Sequence, residues 1–81
     1  MAEPNWEDVR RRLTALTMRQ LRTIGRSWFA GCLGGASAKA EYVGEMVAQM
    51  RHWWRSCADE GGRERVAGVM EDMERTEGRD A

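Results

Sequence analysis

Val43, Met46, Val47, Met50 and Trp54 recur at offsets 0, 3, 4, 7 and 11, the interval at which an α-helix returns the same side to a neighbour. Three other segments keep that interval: Trp6, Val9, Leu13 and Leu16; Met18, Leu21, Ile24 and Trp28; and Val66, Val69, Met70 and Met73. No segment alternates apolar and polar residues as a half-buried strand must, and there is no internal repeat or low-complexity tract. The spacing predicts an all-α fold, a single small domain of about four helices over residues 6–15, 18–28, 38–56 and 63–75. The acidic C-terminal segment 76–81 is expected to be disordered. With 81 residues there is material for one modest core and none for a two-lobed catalytic cleft.

The boundaries have local causes. Asn5 can cap the first helix, with Glu7 and Asp8 at the positive end of its dipole. Thr17-Met18-Arg19-Gln20 has the capping-box pattern, so a second helix starts there. Gly25 lies on that helix's apolar side, where a missing side chain allows close approach. Gly31, Gly34 and Gly35 forbid a stable helix between residues 30 and 36, with Leu33 as the inward anchor of the connection and Ser37 as the cap of the long third helix. Gly61-Gly62 separates the third helix from the fourth. On the third helix, Tyr42 and Trp53 are expected on one shoulder of the apolar stripe, Arg51 and Arg55 on the other, and His52 on the far side.

Charge sums to zero, thirteen bases against thirteen acids, but it is unevenly placed. Residues 1–8 carry three acids and no base, residues 9–57 nine bases against two acids, and residues 58–81 eight acids against four bases. A basic centre between acidic ends suits a polyanionic partner. Twelve of the thirteen bases are arginine, the side chain whose planar fork fits phosphate and carboxylate. The acidic N-terminus has no apolar stretch, so neither leader nor membrane anchor is expected and the location is expected to be cytoplasmic. Two cysteines, Cys32 and Cys57, are too few for a disulfide framework, and no metal site or cofactor is expected.

Arg19, Arg22 and Arg26, at offsets 0, 3 and 7, share the outer side of the second helix. They form either a phosphate-gripping ridge or an ordinary solvated face. Tyr42 and Trp53, with Arg55, offer an aromatic and basic patch for a partner, or simply fill the core. His52 and Cys57, five residues apart, are expected on different helix faces, which argues against a catalytic pair. The Gly34-Gly35 turn lacks the spacing of a phosphate-binding loop. No enzymatic activity is expected.

Leu16-Thr17-Met18-Arg19-Gln20-Leu21-Arg22, then Ile24 and Arg26, then Leu33, Gly35 and Lys39, then Val43, Met46 and Met50 together resemble the SAP and related helix-extension-helix motif, a family that includes LEM-type modules. The resemblance covers about residues 16–51. It implies DNA binding, with roles for Arg19, Arg22, Arg26 and Lys39, and Arg51 at its end is counted with them. The expected function is non-enzymatic binding of duplex DNA through its backbone. The alternative is a protein-interaction or inhibitor module, of the kind phages and mobile elements make, that docks Tyr42, Trp53 and Arg55 on a partner protein. A homodimer built on the third helix is a further possibility.

Overall fold

A computed structural model of the chain describes residues 2–29, 33 and 38–78. Four helices follow in order: α1 Trp6–Thr14, α2 Met18–Trp28, α3 Lys39–Ser56 and α4 Gly62–Glu77, with a single 3-10 turn, Ala58–Glu60, between α3 and α4. The described residues contain no strand. The fold is a small all-α domain.

Each start is set by a specific device. The Asn5 side chain accepts from the amides of Glu7 and Asp8 at 3.1 and 3.2 Å, satisfying two amides that the helix itself leaves unpaired. At α2 the capping box is complete: Gln20 N donates to Thr17 Oγ1 at 3.1 Å, and Thr17 N to Gln20 Oε1 at 2.9 Å. α3 begins after Ala38, which makes no side-chain cap; Ser37, the expected cap, lies outside the described residues, as do Cys32 and Gly34-Gly35. α4 starts on two glycines with different duties. Gly61 has φ +81°, a left-handed conformation that strains any other side chain, and the Gly62 amide donates to Cys57 O at 2.8 Å. A side chain on Gly62 would collide with the Trp53 carbonyl. The α4 start is therefore one residue earlier than the spacing suggests.

α3 is the hub, packed mainly by α1 and α4, with α2 touching both α3 and α4. Its buried residues are Tyr42, Val43, Met46, Val47, Met50, Trp53 and Trp54. At 100° per residue these cover a continuous arc of about 140°, wider than a helix with one neighbour needs. The other helices contribute Val9, Leu13, Leu21, Ile24, Val66, Val69 and Met73, the turn between α1 and α2 adds Leu16, and among the described residues no polar or charged side chain is buried with them. Trp6, Met18, Trp28, Leu33 and Met70 pack on the margin of this core.

The fourth helix corrects the expectation of a disordered segment from residue 76. α4 continues through Glu77, Thr76 Oγ1 donates to Asp72 O at 2.7 Å, and Glu77 holds Arg12 of α1 by two hydrogen bonds at 2.6 and 3.1 Å. Those contacts order the last helical turn. Residues 79–81 lie outside the described set.

Candidate nucleic-acid interface

α2 is fixed to the domain by its inner side. Leu21 and Ile24 are buried, and a side chain on Gly25 would run into Tyr42 Oη, so this glycine lets Tyr42 of α3 reach α2. Trp28 lies against Gly68 of α4 with no room for a side chain there, and its indole donates to Asp72 at 2.6 Å. Those contacts leave the opposite side of α2 facing water.

Arg19, Arg22 and Arg26 occupy that side, all three exposed. Helical geometry puts them within about 60° of one another along roughly 10 Å of axis. None of them makes an ion pair with a described residue. Four bases elsewhere do have acids: Arg11 pairs with Asp8, Arg12 with Glu77, Arg55 with Glu3 at 3.0 Å, and Arg75 with Glu71 and Asp72, whereas the scattered Arg10, Lys39 and Arg51 have no described ion-pair partner. Arg63 and Arg65 lie over the rings of Trp54 and Trp53 at 4.7 and 5.0 Å. The start of the ridge is also unfavourable for its own helix, although Arg26 stands in the last turn, where the dipole favours a cation. The first turn of α2 contains no acid, and Arg19 and Arg22 sit at the end where the dipole disfavours cations. Like charges three and four residues apart repel by a few tenths of a kcal/mol, about 0.2–0.5 per pair.

Thr23 and Ser27 flank the ridge and were not singled out by spacing. Both are exposed, with hydroxyls donating to Arg19 O at 3.0 Å and Thr23 O at 3.2 Å. Their oxygens border a shallow groove of about 230 Å³ that α2 forms with Asp72, Arg75 and Thr76 of α4. The signal that would have found them is their i, i+4 repetition beside the arginines. Lys39 opens α3, half-buried, three residues before the Tyr42 that touches α2.

The remaining expected site residues do not join this surface. Arg51 is exposed, but nine residues after Tyr42 it stands about 180° around α3, away from α2. The aromatic docking patch is a correction. Tyr42 is 9% and Trp53 4% exposed, because a central helix contacted by three others uses this shoulder of its stripe for packing as well. Trp53 stacks on Phe29, 1% exposed, with ring centroids 4.9 Å apart. Arg55, the third member of that patch, is held by Glu3, which also accepts from Trp6 Nε1 at 2.7 Å. The indole and guanidinium hydrogen bonds hold the Glu3 carboxyl below its ordinary 4.5. Arg12 does the same to Glu77.

His52 and Cys57 are also corrected: they meet, with Cys57 Sγ 3.8 Å from His52 Nε2. The chain leaves helical geometry at Cys57, φ −119° and ψ 24°, which swings the thiol toward an imidazole that a continuing helix would keep away. Among the described residues no three His, Cys, Asp or Glu side chains are grouped to hold a metal, and no helix is long and apolar enough to cross a membrane.

Comparison with protein-family models, curated proteins and solved structures finds no match to this chain.

Proposed function

We propose that the chain binds duplex DNA through the phosphate backbone, with Arg19, Arg22 and Arg26 as the main contacts and Lys39 adding to them from the start of α3. The observation that carries this reading is the ridge itself: three exposed arginines clustered on one side of a well-seated helix without an ion pair, set against Arg12 and Arg55, which are held by acids near the chain ends. No described ion pair ties them to the rest of the fold, and their clustering supports a role toward a polyanion. Along roughly 10 Å one DNA strand presents about three phosphates, which matches the number of guanidinium groups. Tyr42, Trp53, Trp54 and Phe29 are buried, and the half-buried Trp6 and Trp28 are held by Glu3 and Asp72 through their indole N–H groups, which favours duplex over splayed single strands. The SAP-like resemblance of residues 16–51 points the same way.

The role needs no chemistry. Phosphate contacts position a protein without reading sequence, so unrelated duplexes of equal length should bind alike, and binding should weaken steeply as salt rises. A gel-shift titration against several unrelated duplexes at low and moderate salt tests this. Failure to shift any duplex at low salt would remove the DNA reading and leave a protein partner for the ridge.

A further inference from the structure

We infer that the outer side of α3 is a docking surface for a second copy of this chain, paired antiparallel about a two-fold axis at Ala48. Glu41, Gly44, Ala48, Arg51 and Arg55 recur at intervals of 3, 4, 3 and 4, the spacing of a seam along which one helix lies on another. They stand on the side of α3 away from its buried arc; Gly44 is partly exposed and the other four are exposed. Charge is split along this seam, with Glu41 and Glu45 in its first half and Arg51, His52 and Arg55 in its second. Glu41, Glu45 and Arg51 have no ion-pair partner among the described residues, and the like charges four residues apart repel within the helix. An isolated surface helix is steadied by opposite charges four apart, whereas a split one complements itself run backwards.

The register fits a two-fold. Glu41 and Arg55 each lie seven residues from Ala48, so they face each other twice across the axis. Glu45 meets His52 of the second copy on the same side of the seam, and Arg51 lies over the bare backbone of that copy's Gly44. The helix dipole accounts for the acid in the first turn and the base in the last, but not for Glu45, Arg51 or a glycine between them. Glycine weakens a helix interior, and a side chain on Gly44 would meet nothing within 4 Å, so no described neighbour requires it. Its bare backbone and the small Ala48 let a second helix come close. An open groove of about 260 Å³, lined by Ala48, Arg51, His52, Arg55 and Ser56, receives the acidic half of the second copy. Glu3 takes the Nε–H of Arg55, which leaves its two terminal amino groups for Glu41 of the second copy. The seam spans only about 20 Å of helix, so the pair is reversible and in exchange with monomer. It faces away from α2, so pairing stands or falls independently of the arginine ridge.

Sedimentation equilibrium in reductant, at low ionic strength and from about 10 µM to 1 mM protein, reads the pairing. The wild-type mass should climb toward that of two chains as concentration rises. Glu45→Lys alone and Arg51→Glu/His52→Glu alone should each weaken association by about tenfold or more, because each sets like charges against each other twice across the axis. Mixed in equal amounts, these two variants should associate as the wild type does, since every reversed charge then meets its opposite. Gly44→Leu has room in the monomer and should abolish pairing while circular dichroism shows the fold retained. A wild type still monomeric at about 1 mM would overturn the assignment and leave the seam to a different partner. A dimer indifferent to Gly44→Leu, or charge variants whose mixture fails to associate, would overturn it as well.

Discussion

The outer side of α2 and the two chain ends both carry arginine, but only the chain ends carry the acids to match. At the ends, Glu3 spans 52 residues to hold Arg55, and Glu77 spans 65 residues to hold Arg12. On α2, three guanidinium groups stand together with no described counter-charge. A net charge of zero therefore conceals an uneven arrangement: Arg12 and Arg55 tie distant segments together through acids near the chain ends, and the three α2 arginines face outward. Each class should respond differently to substitution.

The scale is set by the core beneath both regions. Met50 is fully buried on α3, and Met50→Ala should cost about 2–5 kcal/mol in a denaturant titration, while His52→Ala on the exposed side of the same helix should stay within about 0.5 kcal/mol. If His52→Ala were as costly, the assigned buried arc would be wrong.

The seat of α2 comes next. Trp28 fills the space where a Gly68 side chain would go, so Gly68→Val should destabilise by about 1–3 kcal/mol through overpacking. DNA binding by the remaining folded fraction should weaken as well, because the ridge depends on how α2 is held. A neutral Gly68→Val would show that α2 tolerates displacement from α4.

A smaller effect separates the two arginine classes directly. The Arg12–Glu77 pair is partly shielded, with side chains 25% and 32% exposed, and a double-mutant cycle should give a coupling of up to about 1 kcal/mol. Arg12 holds the Glu77 carboxyl below its ordinary 4.5. The stabilisation is therefore complete above that value and disappears as pH falls through the lower, folded-state value. Glu77→Gln should flatten the acid limb of a stability–pH curve, whereas removing α2 arginines should leave that limb unchanged. An acid limb unaffected by Glu77→Gln would mean that the clasp contributes nothing in solution.

The parts legible from sequence are those with local causes. The four stripes, the Asn5 cap and the Thr17–Gln20 box depend on residues within a few positions of one another, and the arginine ridge follows from helical register alone. What escaped depends on tertiary neighbours. Tyr42 and Trp53 are buried because α3 is contacted from three sides, which its own stripe does not reveal. Phe29 belongs to no stripe, yet it is buried against Trp53 just beyond the end of α2. Glu3–Arg55 and Arg12–Glu77 join distant segments, and Cys57 meets His52 only because the backbone departs from the helix there.

The most direct test of the central claim is the salt dependence of duplex binding, measured for the wild type, for Arg19→Ala/Arg22→Ala/Arg26→Ala and for Arg12→Ala. Each phosphate contact on B-DNA contributes about 0.9 to the slope of log affinity against log salt, so the triple variant should bind every duplex more weakly with a slope shallower by about 2.7 units. It should also unfold at nearly the wild-type denaturant concentration. Arg12→Ala should lose a little stability and keep the wild-type slope. A triple variant with an unchanged slope, or a slope that falls equally in Arg12→Ala, would contradict the account.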